Sequence, residues 1–172
     1  IKMKIFLSLL LIYISLFINA QDLSIPASVS AKIKTEKFKV TNFTDSITLK
    51  FIYPENFDST KIYPLFLGLS GGNQTTEIVD YCFAAWFDSP YLSNYFKVLP
   101  VSYSEKVSLN SYSVEEIQGL TNFIQSTFPI CDENWLIGAT SNGGLASFNF
   151  ISITPKKYIG AILMPGSIDK NS

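Results

Sequence analysis

The stretch that most constrains the fold is W-L-I-G-A-T-S-N-G-G-L-A-S-F-N-F-I-S-I, from Trp135 to Ile153. It opens with a short apolar run of strand length, Trp135 to Ala139. It turns through Thr140, Ser141, Asn142, Gly143 and Gly144, then continues as a helical pattern from Leu145 to Ile153. A strand that passes straight into a helix through small residues requires close packing of the two. The turn lifts the Ser141 hydroxyl clear of its own backbone. The next main-chain N–H, on Asn142, sits at a helix N-terminus, where negative charge is favoured.

The rest of the chain fits around that unit. Ile33 to Val40 reads as a weak strand and Ile47 to Tyr53 as a firmer one. Both precede any helix and short loops join them, which predicts an antiparallel start to the sheet. Tyr63 to Leu69 is a continuous apolar strand that runs into Ser70, Gly71, Gly72, Asn73 and Gln74. Thr75 to Phe87 is helical, with Ile78, Val79, Cys82, Phe83 and Trp86 on one stripe, and Pro90 ends it. Val98 to Val101 is a strand, and Ser102 to Tyr112 a polar loop. Ser113 caps the next helix, with Glu116 three residues on as a capping box, and Pro129 stops it. Ile117, Leu120, Phe123, Ile124 and Phe128 form its buried face. Cys131 to Asn134 reads as a turn, and Tyr158 to Met164 as a last strand buried on both faces. Strands alternating with helices predict an α/β domain with a mostly parallel central sheet and flanking helices, over residues 33–172.

The segment A-T-S-N-G-G, Ala139 to Gly144, resembles the G-x-S-x-G-G nucleophile elbow of α/β-hydrolase esterases, with Ala139 in place of the first glycine. L-S-G-G-N-Q, Leu69 to Gln74, resembles their H-G-G-type loop, with Ser70 where histidine is common. The resemblance covers about residues 33–168 and implies a truncated α/β-hydrolase sheet that ends after about the sixth strand. It implies Ser141 as the nucleophile. It also implies an oxyanion hole built from the backbone N–H of Asn142 and of Gly71 or Gly72. The substrate would be a small-molecule or polymeric ester, with no cofactor and no metal. A phosphate loop is the rival for the glycine spacing. Gly138 and Gly143 are correctly spaced for one, but Gly144 and Leu145 stand where lysine and serine or threonine are needed.

The chain contains no histidine. An elbow serine needs a base, and in this fold that base is a histidine later in the chain. The sequence is therefore read as the N-terminal part of a longer enzyme, the 172 residues alone being inactive. A strand buried on both faces but left as a bare sheet edge would invite aggregation, which agrees with that reading. Asp169 is the one carboxylate after the last strand and a minor candidate for the triad acid. The alternatives are a catalytically inactive binding protein on the same scaffold and a serine peptidase of the same fold. For the binding protein, Tyr91, Tyr95, Tyr103 and Tyr112 would line a face.

Lys2 and Lys4 precede an apolar run, Ile5 to Ile18, that is shorter than the about 20 residues of a spanning helix. With the small residue Ala20 after it, the pattern reads as a signal peptide over residues 1–20. Residues 21–32 read as a linker. The expectation is a secreted or periplasmic protein with no membrane span in the mature chain. The lysines are scattered and the net charge is −1, so nucleic acid is not an expected partner. Cys82 and Cys131 could pair in an oxidising compartment, or Cys82 could serve as a small apolar residue of its helix.

Overall fold

The computed structural model describes residues 25–102 and 108–164. The proposed signal peptide, Tyr103 and Asp169 lie outside the described residues. Six strands form one sheet: β1 (Lys34–Phe38), β2 (Ile47–Ile52), β3 (Tyr63–Leu69), β4 (Phe96–Val101), β5 (Ile130–Thr140) and β6 (Tyr158–Met164). Their spatial order is β1-β2-β4-β3-β5-β6. β1 pairs antiparallel with β2, and β2 antiparallel with β4. The β4-β3, β3-β5 and β5-β6 pairs are parallel. The helices are α1 (Ala27–Ser30), α2 (Thr76–Cys82), α3 (Val114–Thr127) and α4 (Asn142–Ile153). The proposed linker thus holds one helical turn, α1.

Side-chain alternation along the strands makes two cores. Leu65, Leu67, Leu69, Val98, Trp135, Ile137 and Ala139 share one cluster with Ile117, Leu120 and Ile124 of α3 and with Ala146 and Phe150 of α4. Phe66, Leu99 and Val101 belong to the other, with Val79 and Cys82 of α2 and with Phe83 and Phe87. Lys50 and Lys97 occupy alternate positions on this second side and are buried. Lys50 Nζ donates to Asp80 Oδ1 at 2.5 Å, an ion pair that ties α2 to β2.

α3 starts as its sequence dictates. The Ser113 side chain accepts from the Glu116 N–H at 3.1 Å, and the Glu116 carboxylate accepts from the Ser113 N–H at 2.8 Å. Each of these bonds satisfies a donor that the first helical turn leaves without a partner.

Three expectations are corrected. Trp86 is 53% exposed, and Phe87 takes the buried place. The cause is a π-helical turn over Phe83–Phe87, in which the Asp88 N–H reaches the Phe83 carbonyl at 2.8 Å. The wider turn shifts the buried stripe by one residue. Cys131 to Asn134 is not a free turn but the start of β5. Tyr63 pairs with Ile130 and Leu65 with Trp135, so those residues form an irregular excess in the β5 strand. β6 is not buried on both faces: Ile159, Ile162 and Leu163 are exposed, because β6 is an edge strand paired only with β5 among the described residues. Of the two alternatives for the cysteines, the unpaired one holds: both thiols are free. Cys82 packs beside Thr140 at one end of β5, its Sγ 3.6 Å from the Thr140 hydroxyl, whereas Cys131 lies at the other end of that strand.

Candidate functional site: the turn at Ser141

β3, β4, β5 and β6 all point the same way, so the residues after Leu69, Val101 and Thr140 gather at one end of the sheet. Ser141 stands there between β5 and α4. Its backbone has φ 47° and ψ −117°, in the region that side-chain-bearing residues rarely adopt. The residue is exposed. α4 begins at Asn142, three residues earlier than its apolar pattern suggests. The Asn142 amide is therefore in the first turn of the helix, where main-chain N–H groups have no carbonyl partner within the helix.

Two contacts explain the small residues. A Cβ on Gly143 would lie 2.1 Å from the Leu69 carbonyl oxygen, so only glycine lets α4 cross the end of β3. A Cβ on Gly71 would lie 3.2 Å from Ser141 Cβ and 3.1 Å from the Thr140 carbonyl oxygen. The glycine loop after β3 is thus packed against the serine turn after β5. The structure brings together Ser141, Asn142, Gly71 and Gly72, two loops that lie about seventy residues apart in sequence.

Side chains that the sequence pattern does not single out hold these loops. Asn142 Nδ2 donates to the Gly72 carbonyl at 3.0 Å and to Ser108 Oγ at 2.9 Å. Gln74 is fully buried and has φ 58°. Its Oε1 accepts from Ser108 Oγ at 3.0 Å and from the Leu109 N–H at 2.7 Å. Its Nε2 donates to the Ser70 carbonyl at 2.9 Å. Ser70 Oγ is buried without a hydrogen-bond partner. No periodicity marks Gln74; the only available signal was its place directly after S-G-G-N.

Tyr91 and Tyr112, two of the four tyrosines expected to line a binding face, do not share one. Tyr91 is 92% exposed in a turn over Pro90–Leu92, whereas Tyr112 is buried with its ring against Phe43. Among the described residues, no three His, Cys, Asp or Glu side chains gather where a metal ion could bind. No helix among them is long and apolar enough to cross a membrane. Two of the cavities among the described residues open at the opposite end of the sheet from Ser141. One, of about 510 Å³, lies beside Thr154 to Lys157, and the other, of about 410 Å³, beside Lys32, Asp88 and Lys97. Burial pushes the Lys97 ammonium below its ordinary range. These cavities lie where the parallel strands begin rather than where they end, so they are separate from the serine turn.

No protein-family model and no curated protein sequence matches the chain. Solved structures do. A thermostable esterase superposes with a TM-score of 0.65 at 18% identity, covering 83% of this chain and 43% of that one. The fluorophosphonate-binding serine hydrolase F of Staphylococcus aureus gives 0.64 at 15% identity, covering 81% and 58%. Oligopeptidase B of Trypanosoma brucei, with covalently bound antipain, gives 0.56 at 13% identity, covering 76% and 20%. The chain spans less than two thirds of the length of each of these structures. The sheet order, the flanking helices and these superpositions agree: the chain has the α/β-hydrolase fold, and it covers part of it.

Proposed function

We propose that these residues belong to a serine hydrolase that cleaves carboxylic esters, with Ser141 as its nucleophile. One observation carries the reading. Ser141 is exposed, in a strained conformation at the start of a helix, with the backbone of Gly71 packed against it. Strain of this kind persists where the surroundings enforce it, and it clusters at sites of chemistry.

The Ser141 oxygen attacks the acyl carbon, and the carbonyl π electrons move onto its oxygen. The N–H groups of Asn142 and of Gly71 or Gly72 receive that negative charge. A single such donor is worth about 3 kcal/mol of barrier. The proton of Ser141 goes to a histidine in sequence beyond Ser172, and then to the leaving alcohol. Water releases the acyl group by the same route in reverse. Asp169 or a later carboxylate orients that histidine. The leader pattern at residues 1–20 supports export of the protein.

The esterase and the fluorophosphonate-binding hydrolase among the similar structures support this chemistry. Oligopeptidase B favours a second reading, in which the same serine cleaves peptides. Protein expressed from the complete gene is assayed on p-nitrophenyl acyl esters and on peptide p-nitroanilides. Turnover of esters that Ser141→Ala abolishes supports the esterase. Turnover of anilides in place of esters supports the peptidase. Turnover of either that survives Ser141→Ala refutes the serine.

A further inference from the structure

We infer that Gln74 and Asn142 are positioning residues that set the direction of the glycine-loop amides beside Ser141, an inference that rests on the serine-hydrolase reading. The donors and acceptors form one directed chain. Asn142 Nδ2 donates to Ser108 Oγ, and Ser108 Oγ donates to Gln74 Oε1. Gln74 Nε2 then donates to the Ser70 carbonyl. Ser108 has one hydroxyl proton, so each link fixes the sense of the next. The chain closes through the second bond of Asn142, to the Gly72 carbonyl.

The consequence follows from the planar trans peptide. In such a unit the C=O and the following N–H point in opposite directions. Holding the Ser70 carbonyl against Gln74 therefore fixes the direction of the Gly71 N–H. Holding the Gly72 carbonyl against Asn142 fixes the other side of the same loop. Gly72 has φ 58°, which glycine adopts freely, but Gln74 also has φ 58°, a left-handed position that costs a residue with a side chain and needs external restraint. Asn142 also supplies a main-chain N–H at the serine. One residue thus carries one proposed oxyanion donor and holds in register the loop that carries the other. Gln74 is anchored in turn: its carbonyl accepts from the Ser102 N–H at 3.0 Å, and its Oε1 from the Leu109 N–H. Ser102, Ser108 and Leu109 are by this means part of the support of the serine turn.

The test uses protein from the complete gene. Asn142→Ala keeps the main-chain N–H and removes both side-chain bonds. Gln74→Glu keeps the acceptors and removes the donor to Ser70. Three quantities are read: the rate of fluorophosphonate labelling at Ser141, amide hydrogen exchange in a peptide spanning residues 70–74, and the thermal midpoint. The expected result is labelling slowed tenfold or more in each variant, with faster exchange at 70–74. Exchange in α3 and the midpoint of Asn142→Ala stay unchanged. Wild-type labelling rates in both variants would overturn the inference. So would a general rise in exchange that includes α3, since that marks a merely structural role. If the wild type itself is not labelled, the serine-hydrolase reading fails and the exchange data decide. Unchanged exchange at 70–74 then overturns the positioning role, and faster exchange confined to that loop supports it.

Discussion

Gly143 and Leu69 meet so closely that a methyl group on Gly143 would stand 2.1 Å from the Leu69 carbonyl oxygen. This contact sets α4 across the end of β3 and so sets where Ser141 emerges. The neighbour is backbone and cannot swing aside. Gly143→Ala should therefore destabilise the protein by about 3 kcal/mol or more, beyond ordinary overpacking. Gly160→Ala is the control, because its new methyl would meet only Leu136 Cδ1 at 3.4 Å. It should cause no loss of stability in denaturant titration.

Ser141 itself should cost stability. At φ 47° and ψ −117° a side chain is strained, while glycine adopts the region freely. Ser141→Gly should raise unfolding stability by about 1 kcal/mol while ending reaction with serine-directed probes. A loss of stability would show that the serine side chain contributes to packing.

The Lys50–Asp80 pair should behave as a buried ion pair rather than a surface one. The Lys50 side chain is 4% exposed and that of Asp80 26%. Asp80→Ala leaves a buried ammonium without its partner and should cost about 3 kcal/mol. Replacing both with leucine and methionine, Asp80→Leu with Lys50→Met, should recover most of that loss. Equal loss in the single and double variants would contradict this account.

Tyr158 gives an alkaline limb to stability. Burial against Trp135, with ring centroids 5.9 Å apart, pushes its phenol up to about 12. The unfolded phenol ionises near 10. Between about pH 10 and 12 the unfolded chain releases a proton that the folded protein keeps, so stability falls with rising pH. The contribution is intact below pH 10 and is lost as the pH rises through the folded value. Tyr158→Phe should remove up to about 3 kcal/mol of that decline, each of the two pKa units being worth about 1.4 kcal/mol. Identical pH profiles for both proteins would refute it.

Much of this arrangement was legible in the residues, and the misses share a physical pattern. β3 and β6 have the bounds of their apolar runs, Tyr63–Leu69 and Tyr158–Met164. The Ser113–Glu116 box marks its helix because both partners are local. A π turn breaks the regular spacing that points to Trp86, so the period leads to the wrong residue. An apolar strand such as β6 does not tell whether anything covers it. Of the excess residues at the start of β5, Asp132, Glu133 and Asn134 are polar and exposed, so the segment looks like a turn. At the site, the glycines and Ser141 announced themselves by type and spacing. Gln74 and Ser108 did not, because their roles depend on bonds between segments distant in sequence.

The central claim concerns one hydroxyl, and it has a direct test. Protein from the complete gene is treated with a fluorophosphonate, digested and analysed by mass spectrometry. The account predicts one phosphonyl adduct, on Ser141, that is absent from Ser141→Ala. An adduct on another serine, or the same extent of labelling in Ser141→Ala, would contradict it.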